Sequence, residues 1–164
     1  MARTATTLDT GGVAIGTVFP PYPQFQWIHY IMRYDLSTKS TFRNGQPEIS
    51  IASSGAVTPP VGNMAIGNGN GLLRYWPGPV CEVQYWDRAI SDTECADVYA
   101  GVNNSGIRTA LSSEWLLASN GNDTTGTNNG TLVGSPTFTS TDVPFSLRVA
   151  ATGRVAASNR TVIT

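Results

Sequence analysis

Residues 78–101 constrain the fold of this chain more than any other stretch. Apolar and polar residues alternate over positions 82–85, as they do in a half-buried strand. Ser91 and Glu94 have the spacing of a capping box, in which each side chain accepts a hydrogen bond from the backbone N–H of the other residue. Gly101 follows where a helix commonly ends in a left-handed residue. The stretch therefore predicts a strand, a capped short helix and its stop.

The composition favours an all-β domain with many short strands. The chain has 164 residues, among them 17 Gly and 10 Pro, and only 13% of its residues are charged. Its 40% hydrophobic content is enough for one core. We therefore expect one domain, with an appended arm.

Charge and hydropathy exclude several partner classes. Ten basic residues against 11 acidic ones give a net charge of −1, so no global field attracts nucleic acid or an anionic membrane. The sequence contains no apolar run of membrane-spanning length, and its first residues lack the apolar core of a secretory signal. We expect a protein made soluble in the cytoplasm, with neither nucleic acid nor a membrane as partner.

The cysteines and the single histidine do not indicate a metal site. Ile90 and Cys95 occupy the positions of a hydrophobic staple around the capping box, and Cys81 lies in the preceding strand. Two reduced, partly buried thiols are the favoured interpretation, with a disulfide as the alternative. His29 is expected to be a packed residue, and we predict no metal and no cofactor.

The same stretch argues against hydrolysis by a carboxylate pair. Some glycosidases that use a carboxylate pair place alternate carboxylates on one strand, as Glu-x-Asp-x-x-Glu. Here Gln84 replaces the middle Asp and no closing Glu follows. Glu82 and Asp87 are five residues apart, which would put them on opposite faces of a regular strand. We expect no enzymatic activity and predict no catalytic residue.

Two blocks of the chain resemble laminin-G-like domains of the concanavalin A-like jelly-roll superfamily, over roughly residues 25–101. The first block contains Trp27-Ile28-His29-Tyr30, Tyr34-Asp35 and Asn44-Gly45, and the last pair resembles the strand-Asn-Gly-strand hairpin of that family. The second matches the closing motif of that family at Glu82, Val83, Trp86, Asp87, Arg88, Ala89, Ile90, Ser91 and Glu94. The resemblance implies an antiparallel β-sandwich (a concanavalin A-like jelly roll) with one short α-helix, to which we add an extended C-terminal arm.

The order of the blocks predicts three regions. Residues 1–111 form the sandwich, which is short at its N-terminal side. Residues 112–145 resemble the opening strand and turn of the same family, but they follow the closing motif. They form an edge of a permuted sandwich, a strand exchanged with a neighbouring subunit, or an extension of the kind found in bacteriophage structural proteins. We favour the last two together, and residues 146–164 are the C-terminal arm.

The arm contains a six-residue repeat that begins with Arg148, Arg154 and Arg160. If the arm is extended, the even period places these three arginines on one face, spaced about 20 Å apart. Arginine makes bidentate contacts with carboxylates, so the arginines are candidate partner-binding residues on an acidic neighbour. A solvated tail or two short strands is the alternative.

Aromatic residues provide a candidate glycan-binding surface, and the alternative is that Tyr75 and Trp76 close the edge of the sandwich or meet another subunit. Tyr75 and Trp76 follow a glycine- and asparagine-rich stretch, so the region would combine an aromatic stacking surface with hydrogen-bonding amides, as sugar rings require. The candidate residues are Asn68, Asn70, Arg74, Tyr75 and Trp76.

These observations lead to two functional hypotheses. The first is a non-enzymatic virion structural protein, either a capsid decoration or cement protein or a tail-associated one. It would assemble as a homo-oligomer and with other virion proteins through strand edges and the arm. The alternative is a lectin-like carbohydrate-binding adhesion module. The first rests on analogy, because fold alone does not determine function.

Overall fold

The computed structural model describes residues 26–56, 64–67, 78–102, 105–117, 119–141 and 160–163. Every strand pairing within these ranges is antiparallel, and the strands are short. The two helices of this part of the chain are short as well, and neither is long and apolar enough to cross a membrane. The described structure is therefore of the all-β class that the composition predicts.

The chain divides into two compact units, and each is discontinuous in sequence. The first contains Met1–Pro60 and Ala89–Ala100, and the second contains Val61–Arg88 and Gly101–Thr164. The closing motif is thus shared, since its strand belongs to the second unit and its helix to the first.

The first unit is built on a three-stranded sheet. Its strands are β1 (Tyr30–Tyr34), β2 (Thr38–Arg43) and β3 (Gln46–Ala52), in the order β1-β2-β3. A bulge between Thr41 and Phe42 shifts the register of β2 against β3. As the central strand, β2 is buried on both faces at its four inner positions, although three of these are polar.

The turn between β2 and β3 lies directly beneath the helix of this unit. Asn44 and Gly45 have positive φ angles of 50° and 75°, as a two-residue hairpin turn requires. A Cβ atom at Gly45 would lie 3.0 Å from Tyr99 and 3.2 Å from the backbone of Ala96. Glycine is therefore required here both by the backbone conformation and by the close approach of the helix.

The helix α1 (Asp92–Ala100) begins at the predicted capping box. The Ser91 N–H donates to Glu94 Oε2 at 2.7 Å, and the Glu94 N–H donates to Ser91 Oγ at 3.2 Å. Gly101 follows the helix with a φ of 73°, as predicted for its stop. Both staple residues, Ile90 and Cys95, are buried. The predicted helix, its cap and its end are confirmed.

A single arginine ties the sheet of the first unit to the start of α1. Arg33 on β1 donates from Nη1 to the Ile90 carbonyl at 3.0 Å and to Asp92 Oδ1 at 2.6 Å. Its guanidinium carbon lies 4.7 Å from the centre of the Phe42 ring. The Arg33 side chain is 16% exposed but the Asp92 side chain is 65% exposed, so solvent screens this ion pair.

The second unit contains the remaining elements. They are β4 (Val83–Trp86), α2 (Ser105–Arg108), β5 (Leu111–Trp115), β6 (Phe138–Thr141) and β7 (Arg160–Ile163). β4 pairs with β5, and β6 pairs with β7. Trp86 Nε1 and Arg88 Nη2 donate to the carbonyls of Ile107 and Gly106, so α2 is tied to the end of β4. Ile107, Trp115 and Leu117 are the buried apolar residues of the unit among those described.

Three details differ from the sequence-based expectations. The closing strand is shorter than predicted, because Glu82 has a φ of 52° and the strand begins only at Val83. Glu82 and Asp87 therefore lie outside the strand, and the argument that placed them on opposite faces of it is wrong. The chain also contains α2 in addition to the one expected helix. Finally, the end of the expected arm returns as β7, with Arg160 opposite Thr141 of β6.

Both cysteines are free thiols, as the favoured interpretation predicts. Cys95 is buried in the first unit, and burial raises the pKa of its thiol to about 11. Arg33 lowers that pKa, whereas Asp92 and Glu94 raise it further. Cys95 is thus a neutral packing residue at neutral pH.

We expect the capping box to contribute to the stability of the first unit. Ser91→Ala should lower the free energy of unfolding by about 1 kcal/mol, because the Glu94 N–H loses its acceptor. Urea denaturation followed by circular dichroism measures the change. The exposed Thr93, one residue before Glu94, provides the control, and Thr93→Ala should leave the stability unchanged or slightly raised. Equal losses in the two variants would contradict the role of the cap.

We also expect the two thiols to differ in reactivity. In the native protein a thiol-specific reagent should modify Cys81, which is half-buried, and leave Cys95 unmodified until the protein unfolds. Intact mass spectrometry counts the modified thiols. The native Cys81→Ser variant should take up no reagent, and rapid labelling of that variant would show that Cys95 is accessible.

Candidate functional site

The residues predicted to bind a partner or a glycan lie almost wholly outside the described part of the chain. Asn68, Asn70, Arg74, Tyr75 and Trp76 are all outside it, and so are Arg148 and Arg154. Arg160 is placed by its backbone alone, at the start of β7. The shared face of the three arginines and the aromatic surface stay predictions.

A polar cluster centred on Glu114 occupies one face of the β4–β5 sheet. Glu114 lies opposite Gln84 in the ladder, and Gln84 Nε2 donates to Glu114 Oε1 at 2.6 Å. Arg108 reaches from α2 and donates from Nη2 to Glu114 Oε2 at 3.1 Å. The Thr124 hydroxyl donates to the same oxygen at 2.7 Å. The cluster joins two strands, a helix and a loop through one carboxylate.

The electrostatics of this cluster favour a structural role for Glu114. The residue is only 4% exposed, and a buried carboxylate needs charge compensation and hydrogen bonds to remain ionised. Arg108 supplies the charge, while Gln84 and Thr124 supply further donors. The carboxylate is therefore held by its own chain.

The loop after β5 is organised by a second buried carboxylate, that of Asp123. Its Oδ1 accepts from the backbone N–H groups of Glu114, at 2.8 Å, and Thr125, at 2.9 Å. Its Oδ2 accepts from the Thr125 hydroxyl at 2.7 Å and from the Asn128 N–H at 3.0 Å. The Thr124 N–H in turn donates to the Glu114 carbonyl at 2.8 Å. The loop thus satisfies backbone groups of Glu114 on the side of β5 that faces away from β4.

Hydrogen bonding decides the ionisation of Asp123. Burial by itself would raise the pKa of this carboxyl. The donors on Glu114, Thr125 and Asn128 outweigh burial and hold the pKa well below its usual value. Because N–H and O–H donors already occupy both oxygens, the group is arranged as a hydrogen-bond acceptor rather than as a cation ligand. Within the described residues, no three acidic, cysteine or histidine side chains are grouped closely enough to hold a metal ion.

The opposite face of the same sheet presents a different set of side chains. Tyr85 lies opposite Ser113 in the ladder, and its side chain is exposed. Asn128 crosses this face, because its Nδ2 donates to Ser113 Oγ at 2.7 Å and its carbonyl accepts from Trp115 Nε1 at 2.9 Å. Ser113 and Trp115 are buried beneath these contacts. The face therefore combines one exposed aromatic ring with an amide that is held in place.

Comparison with known proteins identifies the family. Residues 3–96 match the model of the concanavalin A-like lectin/glucanase superfamily, which is more than half of the chain. The chain belongs to the concanavalin A-like lectin/glucanase superfamily. Neither the curated proteins nor the solved structures contain a match to it.

Membership in the concanavalin A-like superfamily confirms the predicted family and fold class, an antiparallel all-β sandwich. It supports a carbohydrate-binding or structural module. Laminin-G-like domains are mostly non-catalytic, although the superfamily includes glucanases. The match extends further toward the N-terminus than the resemblance over roughly residues 25–101, and it stops before residues 112–145. The predicted division into three regions stays a prediction.

Sequence reasoning missed both carboxylates that organise the described part of the second unit. Asp123 stands in a run of Asn, Asp, Thr and Gly, a composition typical of turns in which an Asp side chain accepts backbone N–H groups. That signal was sufficient to predict a local turn. The Glu114 cluster has no such signal, since its members come from four different elements and no fixed spacing links them.

Replacing Asp123 should destabilise the second unit in a pH-dependent way. Asp123→Asn should lower the free energy of unfolding by about 1–3 kcal/mol at pH 7, because an amide nitrogen replaces one acceptor oxygen. The native pKa of this carboxyl is below its unfolded value, so the unfolded state takes up the proton first as the pH falls. The wild-type protein should therefore lose stability below about pH 4, and the variant should lose less.

Urea denaturation between pH 7 and pH 2.5 measures both effects. The exposed Asp87 provides the matched control, and Asp87→Asn should change the stability by less than about 0.5 kcal/mol. A pH dependence identical in the wild type and in Asp123→Asn would show that Asp123 is not the titrating group.

Proposed function

We propose that this protein is a non-enzymatic virion structural protein, of the capsid decoration or cement kind or of the tail-associated kind. It would be made in the host cytoplasm and act in the virion, assembled with further copies of itself and with other virion proteins. The viral part of this proposal rests on the sequence of residues 112–145, which resembles extensions in bacteriophage structural proteins.

The observation that carries a structural role is that the carboxylates of Glu114 and Asp123 bond several elements of their own chain together. The Glu114 carboxylate joins β4, α2, β5 and the following loop, and the Asp123 carboxylate holds that loop along β5. Both carboxylates are buried and hydrogen-bonded to their own chain. Such an arrangement favours a rigid scaffold over an open site with a reactive carboxylate.

The small sheets support assembly through strand edges. In the described residues the largest sheet has three strands, and the β6–β7 sheet has only two. A two-stranded sheet by itself is marginally stable in water, and exposed edges pair readily with other chains. Strands added from a neighbouring copy would stabilise the edges of the three-stranded sheet and of the β6–β7 sheet.

Carbohydrate binding is the second candidate function, and the family match favours it. Residues 3–96 belong to a superfamily named for its lectins and glucanases. A lectin-like module needs aromatic stacking surface and oriented amides. Both occur in this chain, in the predicted surface around Trp76 and on the face that contains Tyr85.

Solution mass measurements separate the two functions. The structural proposal predicts a stable oligomer that dissociates when residues 146–164 are removed, because that deletion removes β7 and the arginine repeat. Light scattering combined with size-exclusion chromatography gives the mass, and circular dichroism verifies that the truncated chain is folded. A full-length monomer whose mass and stability do not respond to this truncation would overturn the proposal.

Charge variants of the full-length chain refine the same test. Replacing Arg148, Arg154 and Arg160 together with Ala should weaken the oligomer if these side chains bind acidic partners. Replacing the same three residues with Lys is the control, since it preserves the charge but removes the planar fork of donors. Equal weakening in both variants would indicate bidentate contacts, whereas no weakening in either would exclude the arginines from the interface.

A further inference from the structure

Among the residues that the structure describes in the second unit, Tyr85 is the exposed aromatic one. Its exposure is 53%, whereas the neighbouring Trp115 is 8% exposed. In the described part of the chain, neither the ring nor the hydroxyl of Tyr85 contacts an aromatic or hydrogen-bonding partner. A bulge between Tyr85 and Trp86 interrupts the ladder at this point, and bulges commonly redirect a side chain. The strand thus presents an aromatic ring to its surroundings.

An oriented hydrogen-bond acceptor lies across the same face. Three hydrogen bonds hold Asn128, through its backbone N–H, its carbonyl and its side-chain Nδ2. Its Oδ1 accepts no hydrogen bond from any described residue, although the amide is fixed by the bond to Ser113. Ser113 is also the ladder partner of Tyr85, so the ring and the amide flank one buried serine. This is an acceptor whose orientation is set before any ligand arrives.

The chemistry of this face selects the class of ligand. Val83, Tyr85, Ser113, Trp115 and Asn128 are all uncharged. An exposed ring packs well against the C–H face of a pyranose, and the amide oxygen accepts a hydrogen bond from a sugar hydroxyl. A sulfated or acidic polysaccharide would require cationic side chains, and these residues supply none.

We propose that Tyr85 and Asn128 form a subsite for a neutral saccharide on the face of the β4–β5 sheet opposite Glu114. Tyr85 stacks on the sugar ring, and Asn128 Oδ1 accepts from one of its hydroxyl groups. The subsite rests on the carbohydrate-binding candidate function, and it differs in location from the predicted surface around Trp76. The Glu114 cluster on the other face is excluded as the subsite, because its carboxylate is buried and already accepts bonds from three side chains.

A glycan array probed with the full-length chain tests the proposal, followed by titration calorimetry with the best neutral oligosaccharide and with heparin as the anionic comparison. We expect binding to neutral glycans, and Tyr85→Ala should weaken the affinity about tenfold or more. Tyr85→Phe retains the ring and should retain most of the affinity. Asn128→Ala should also weaken binding, and circular dichroism establishes whether that variant is folded.

Two further variants show which surface binds the glycan. Val133 is an exposed apolar residue of the same unit, and Val133→Ala should bind as the wild type does. Trp76→Ala tests the other predicted surface. Binding that is lost in Trp76→Ala but unchanged in Tyr85→Ala would overturn the subsite and leave carbohydrate binding intact. Binding to no neutral glycan, or to heparin alone, would overturn the subsite, and binding to no glycan of either kind would overturn the candidate function with it.

Discussion

The buried carboxylate of Asp123 is the contact on which the described part of the second unit most depends. It accepts four hydrogen bonds: two come from backbone N–H groups of the turn that follows it, one from the Thr125 hydroxyl and one from the backbone of β5. An edge strand would otherwise present unpaired N–H groups to its surroundings. The Asp123 side chain covers part of that edge, because it accepts the backbone N–H of Glu114. The Glu114 side chain joins β5 with β4 and α2. Two carboxylates thus hold the unit together from opposite directions.

In the first unit, a cationic side chain connects the elements where the second unit uses carboxylates. There the organising group is the Arg33 guanidinium, which contacts the Ile90 carbonyl, the Asp92 carboxylate and the Phe42 ring. A planar cation with several donors can satisfy a helix start and an aromatic face at once. In both units, a charged side chain connects several short elements.

Local signals predicted the local structure of this chain. The capping box, the staple residues and the helix stop were readable because their partners lie within a few residues of one another. The Asn44-Gly45 turn was expected from the family resemblance, and its positive φ angles suit these two residue types. The closing motif also indicated the family. By contrast, the Glu114 cluster joins residues 84, 108, 114 and 124, and no spacing rule links those positions.

The sequence by itself determined the fold class, the family, the capped helix and the hairpin turn, because each depends on neighbouring residues or on a recognisable motif. Only the tertiary structure decided which polar residues are buried. Lys39, Ser40 and Thr41 of the central strand β2 are buried, although a hydrophobicity pattern assigns them to the surface. Likewise, only strand pairing placed Tyr85 on one face and Glu114 on the other, and only hydrogen bonds to Ser113 and Trp115 placed Asn128 on the face of Tyr85. Burial and pairing are set by contacts between distant segments, and no local pattern of residues encodes those contacts.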